Sequence, residues 1–153
     1  MARLRYGFCQ FAFPVVPFPQ QSLFYPTTLT KRAFPTENRL ILCIEDNALH
    51  LSLRKAVLER EGYTVIGATT GDEALKMLRK CPIHAIIADH MLGGTTGAEL
   101  AREMKQIKPH VPIILFSGTV PQHLNDVDVY VNKGEPTAIF LGIVQDVVER
   151  CCS

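Results

Sequence analysis

No apolar run in the chain approaches the ~18 residues that a membrane-crossing helix needs, because Pro14, Pro17, Pro19 and Pro26 interrupt the one aromatic-rich stretch that could supply it. The same prolines break the apolar segment that a secretion signal would require after Arg3 and Arg5, so neither a membrane anchor nor export is expected. A cysteine motif is equally lacking. Cys9, Cys43, Cys81, Cys151 and Cys152 show no CxxC spacing, and no paired histidines stand at metal-ligand intervals. This pattern suggests neither a zinc site nor a disulfide frame, and it places the chain in a reducing cytoplasm. Charge of one sign is lacking too, at a formal net +1. Residues 1–38 carry 4 − 1 = +3 and the remainder 12 − 14 = −2, so neither part has the basic surface of a nucleic-acid binder. Nor does the chain contain a GxGxxG turn, a P-loop or a strand-end DxD nucleophile, which argues against a nucleotide enzyme or a small phosphatase.

What is present divides at about residue 38. Five of the ten prolines and six of the eight phenylalanines precede it, a density that blocks helix interiors and central strands, and residues 1–38 are expected to form a disordered Pro/aromatic-rich leader. From Arg39 to Ser153, short apolar runs alternate with segments of helical period, the pattern of βα units around a parallel sheet. With 47% hydrophobic residues, the chain can build one core but hardly two.

Strands are expected at 40–44, 64–68, 85–88, 113–116 and 127–131. The first helix is expected over 48–61, presenting Leu49, Leu53, Ala56, Val57 and Arg60, with Gly62 closing it. Two Thr-x-x-Glu capping boxes, Thr70 to Glu73 and Thr96 to Glu99, open helices that run to about Lys80 and Ile107. Ile139, Ile143, Val144 and Val147 mark the last helix. Between Ser117 and Asn125 helical periodicity is lost, so the fourth helix is expected to be short or absent. The fold class is therefore α/β, a doubly wound five-stranded parallel sheet.

In such sheets ligands gather beyond the carboxyl ends of the strands. Glu45 and Asp46 follow the first strand, Asp89 the third, Ser117 the fourth, and Lys133 the fifth. Three carboxylates crowded together call for a compensating cation, and a hard, oxygen-seeking ion such as Mg²⁺ suits them best. Lys133 adds a positive charge and Ser117 a hydroxyl, which together describe a site for a phosphoryl group on a carboxylate. Taken alone, Glu45–Asp46 also reads as an acidic pair favoured by a helix N-terminus, and Tyr130 as strand packing.

Three segments, ILCIEDN (41–47), GYTVIGATTGDEAL (62–75) and ADHMLGGTTGAEL (88–100), together resemble the response-regulator receiver domain of two-component signalling, and the resemblance spans residues 39 to about 150. It implies a flavodoxin-like receiver fold. It further implies phosphorylation on Asp89, Mg²⁺ held by Asp46, Asp89 and the Met91 carbonyl, and Glu45 acting through a bound water. Ser117 would bond the phosphoryl group and move with it, Lys133 would pair with a phosphoryl oxygen, and Tyr130 would be the aromatic switch.

The chain departs from the family pattern at Gly93, at Gly134, where a trans peptide bond is expected after Lys133, and in the short gap from Ser117 to Lys133. The implied partners are a histidine kinase or phosphotransfer protein as donor, and a downstream protein or a second copy as receiver of the signal. No enzymatic activity beyond the chain's own phosphotransfer and dephosphorylation is expected. A phosphorylation-independent interaction module of the same fold is the alternative.

Overall fold

The computed structural model describes residues 39–151, so the expected leader lies outside the described residues. The chain forms β1 (Leu40–Ile44), α1 (Ala48–Arg60), β2 (Thr64–Ala68), α2 (Gly71–Lys80), β3 (Ala85–Asp89), the short strands β4 (Met91–Leu92) and β5 (Thr95–Thr96), α3 (Gly97–Ile107), β6 (Ile113–Ser117), β7 (Val129–Asn132) and α4 (Thr137–Cys151). Five strands make one sheet in the order β2-β1-β3-β6-β7, and each pairing is parallel. This is the doubly wound sheet that the alternating pattern predicts, and its order reverses direction at β1 and β3.

Alternation along the strands builds a core on each side. Leu42, Ile44, Ile86, Ala88, Ile113 and Leu115 pack with Ala74, Leu75 and Leu78 of α2 and with Leu100, Ala101 and Met104 of α3. Their neighbours Ile41, Cys43, Ala85, Ile87 and Ile114 face the other way, against α1 and α4. Strands covered on both faces must be apolar along their length, which is why LILCI is apolar throughout and AIIAD and IILFS are apolar up to their last residue. Cys43 is fully buried, and that burial pushes its thiol up to about 12, so it serves as a small hydrophobe.

The helix faces differ from expectation. α1 buries Leu51, Arg54 and Leu58, while Leu49 and Leu53 are 66% and 58% exposed. The periodicity through Leu49 and Leu53 follows the solvent side, because a charged residue stands in the middle of the true buried stripe. In α4 the stripe is Phe140, Val144, Val147 and Val148, rotated from the expected one so that Ile139 and Ile143 are half-buried.

No helix forms between β6 and β7, as the lost periodicity predicts; residues 118–128 cross as an irregular strap. β7 starts at Val129 instead of Val127, and Asp128 explains the shift. Its Oδ2 accepts the Ile113 N–H at 2.7 Å and pairs with Lys105 Nζ at 2.7 Å, while its own N–H donates to the Ile113 carbonyl at 3.0 Å. Lys105 Nζ also donates to the Val111 carbonyl at 3.0 Å, so α3, the start of β6 and the entry to β7 are pinned at one point. Removing the carboxylate leaves the N–H of fully buried Ile113 unpaired. Asp128→Ala is therefore expected to lower unfolding free energy by roughly 1–3 kcal/mol, read as a lower urea midpoint at unchanged slope. A change under about 0.5 kcal/mol would show the pin to be dispensable.

Candidate functional site

The register brings the carboxyl ends of four strands to one edge. Ile44 pairs with Ala88, Asp89 with Phe116, and Ser117 with Asn132, so Glu45, Asp89, Ser117 and Lys133 all lie within a residue or two of that edge.

Glu45 continues β1 by donating its N–H to the Ala68 carbonyl at 3.1 Å, and it is buried. Asp46 is exposed, and its Oδ2 faces the Gly93 turn. Neither acid belongs to α1. Asn47 is the N-cap, accepting the N–H groups of Leu49 and His50 at 3.0 and 3.1 Å, and the first turn carries no acid. The capping role at this helix terminus thus belongs to Asn47, and the two acids stand before it.

Asp89 is buried at the end of β3. Lys133 Nζ lies 2.7 Å from its Oδ2, and the N–H of His90 donates to Oδ1 at 2.6 Å. Burial pulls its pKa up, but the hydrogen bond and charge of Lys133, with the bond from the His90 N–H, outweigh burial and hold it below the ordinary carboxylate value. After Asp89, Met91–Leu92 and Thr95–Thr96 pair as an antiparallel hairpin turned by Gly93 and Gly94 at φ +51° and +132°. Two successive left-handed residues suit a two-residue hairpin turn, which glycines allow without strain.

α3 begins at once, under a complete Thr96–Glu99 capping box. Gly97 is its first residue and donates its N–H to the His90 carbonyl at 2.8 Å. A Cβ at Gly97 would overlap the Asp89 carbonyl oxygen and stand 2.6 Å from Leu115 Cδ1, so only glycine fits.

Ser117 is buried, and its Oγ donates to the Thr119 carbonyl at 2.9 Å and accepts the Thr119 N–H at 3.2 Å. Tyr130 packs against the core, and its hydroxyl donates to the Ser117 carbonyl at 3.3 Å while accepting from Asn132 Nδ2. Lys133 is fixed by its own N–H to the Ser117 carbonyl at 2.9 Å. The Gly134 N–H donates to Asn132 Oδ1 at 2.7 Å, and among the described residues no peptide bond is cis, in keeping with the trans bond expected after Lys133.

One ligand oxygen from each of Glu45, Asp46 and Asp89 lies within 4.8 Å of the others. Octahedral Mg²⁺ with bonds of about 2.1 Å separates its ligand oxygens by about 3–4 Å, so this all-oxygen set fits the ion after small adjustment. The site also holds cations of its own. Arg54 Nη2 lies 2.8 Å from Glu45 Oε2, and Lys133 Nζ lies 3.5 Å from the same oxygen. The balance is −3 from the acids and +2 from Arg54 and Lys133, or −1.

Arg54, the His90 N–H and the Gly97 contact escape a reading of strand ends, since none of them is a side chain at a strand terminus. Arg54 alone leaves a trace in sequence, as a charge midway in the Leu51/Leu58 spacing.

Comparison with known proteins gives one answer. Residues 41–134 match the model of the response regulator receiver domain. Two Bacillus subtilis proteins are similar: the uncharacterized transcriptional regulatory protein YbdJ, 33% identical over 58% of this chain and 36% of its own length, and the alkaline phosphatase synthesis transcriptional regulatory protein PhoP, 35% identical over 52% and 33%. The chain thus spans about a third of the length of these relatives. Among solved structures, a CheY-like receiver domain protein from Methanospirillum hungatei superposes with TM-score 0.70 at 24% identity, over 74% of this chain and 95% of that one. Response regulator TrrA from Thermotoga maritima, solved in complex with Mg²⁺-BeF, superposes with TM-score 0.65 at 28% identity, over 71% and 98%.

Proposed function

This chain belongs to the response regulator receiver domain family, and from that premise we propose that residues 39–153 act as a phosphoacceptor module, with Asp89 taking a phosphoryl group from a phosphohistidine on a kinase or phosphotransfer protein. The observation that carries the proposal is the buried Asp89 carboxylate held at 2.7 Å by Lys133, beside Glu45 and Asp46. A depressed pKa keeps this nucleophile ionised at neutral pH. Lys133 and the His90 N–H orient it, and Lys133 is in place to follow a phosphoryl oxygen as the bond from phosphorus to the donor breaks and the bond to Asp89 forms. Asp46, Asp89 and the Met91 carbonyl would hold Mg²⁺, with Glu45 acting through a bound water. The ion, when bound, supplies positive charge for the phosphoryl oxygens, as the Mg²⁺-BeF complex of TrrA suggests.

Ser117 would then give up its bonds to Thr119 to meet the phosphoryl group, and Tyr130, tied to the Ser117 carbonyl, would follow as the switch. Output would pass to a partner protein or a second copy through the changed surface.

The test is direct phosphorylation. With acetyl phosphate and Mg²⁺ the full chain should gain the mass of one phosphoryl group, and chelation with EDTA should reduce the gain to background. A chain that stays at its original mass in Mg²⁺ is instead an interaction module that works without phosphorylation.

A further inference from the structure

Arg54 is out of pattern. α1 buries the stripe Leu51, Arg54 and Leu58, and its middle member is a guanidinium with only 7% of the residue exposed. Nη2 donates to Glu45 Oε2 at 2.8 Å, Cζ stands 4.7 Å from the centroid of the Phe116 ring, and Nη1 is buried without a partner. A buried cation with an orphaned donor is costly, and a leucine would complete the stripe without that cost. Its neighbours explain what the charge does. Phe116 is the β6 residue opposite Asp89 and precedes Ser117, and Glu45 is one of the three site acids. Arg54 is therefore sealed between the acid pocket and the strand that carries Ser117.

We propose that Arg54 is a positioning residue that holds Glu45 back from direct contact with the metal. By occupying Oε2 it leaves Asp46 and Asp89 as the carboxylates that Mg²⁺ meets, and it sets the affinity of the site below what the three acids would give unopposed. The inference rests on the receiver reading above, since it concerns the same ion. Glu45 Oε2 already has two cationic neighbours, Arg54 at 2.8 Å and Lys133 at 3.5 Å, and Oε1 lies 3.7 Å from His50 Nδ1. Loss of the guanidinium moves the local balance from −1 to −2 beside a dication. In a half-buried site, one unit of charge at this range changes the affinity for a divalent ion by roughly tenfold.

Calorimetric titration of the full chain with MgCl₂ reads this without phosphotransfer. Arg54→Met should bind Mg²⁺ roughly tenfold more tightly than wild type. Arg54→Gln, which retains an N–H for Glu45 but drops the charge, should also bind more tightly, and it carries the test if the methionine variant does not fold. The double variant Glu45→Gln/Arg54→Met should return to within about threefold of wild type, because its balance is again −1 and no buried charge is left unpaired. An unchanged or weaker affinity in a folded Arg54 variant, even one with a lower urea midpoint, assigns Arg54 to structure alone and overturns the proposal. A double variant weaker by more than about threefold does the same, since Glu45 would then already ligate the ion directly in wild type. These failures leave Mg²⁺ binding by wild type intact, whereas no binding in any form overturns both this inference and the receiver reading.

Discussion

Asp89→Asn should abolish phosphoryl uptake from acetyl phosphate, a loss of at least about a thousandfold, because an amide oxygen cannot form the acyl phosphate that a carboxylate forms. The substitution nearly preserves shape, so the loss would belong to chemistry and not to unfolding. It also removes one negative charge from a crowded cluster, leaving Glu45 Oε2 at 3.5 Å as the carboxylate that pairs with Lys133. Intact-mass measurement under saturating Mg²⁺ decides the matter. A phosphoryl adduct that persists in Asp89→Asn would assign the modification to another residue and remove the basis of the proposed mechanism.

Among the described glycines at which an added Cβ meets another group, Gly97 has the shortest backbone contact, and Gly97→Ala should produce the largest fall in stability of them. The new Cβ has nowhere to go: it would overlap the Asp89 carbonyl oxygen and press on Leu115 Cδ1, and both belong to central strands. Backbone must shift, at a cost of about 2–3 kcal/mol, or roughly 10 °C in thermal midpoint for a domain of this size. Because the displaced atom belongs to Asp89 itself, phosphoryl uptake should slow in the surviving folded fraction. The same substitution at Gly142, where an added Cβ meets nothing within 4 Å in the middle of α4, should raise stability by about 0.5–1 kcal/mol. Equal midpoints for the two variants would show that the α3 start is slack enough to absorb a methyl group.

The strands were legible from sequence because a parallel sheet covered on both faces demands apolar runs, and Leu40–Ile44, Ala85–Asp89 and Ile113–Ser117 supply them. That legibility extended to the site, since parallel strands deliver their carboxyl ends to one edge and place Glu45, Asp89 and Lys133 in mutual contact. Helix faces were less readable. In α1, Leu49 and Leu53 advertise a face that is exposed, and Arg54 disguises the buried one. The start of β7 was misplaced because Val127 looks like a strand residue until Asp128 is seen using its side chain to bind Ile113. Contacts made by main-chain groups, such as the His90 N–H on Asp89, have no side-chain signature and could not be read at all.

The strap from β6 to β7 bears on how a displacement at Ser117 spreads. A helix moves as one stiff body, held turn upon turn by its own ladder, and relays a push from end to end. Residues 118–128 have no such ladder, and the first link out of Ser117 is the local pair of bonds to Thr119. A pull on that link would therefore act on irregular chain before it reached the Asp128 clamp. If Ser117 moves as proposed, the direct bonded route outward would be the Ser117 carbonyl, which accepts from the Tyr130 hydroxyl and the N–H of Lys133.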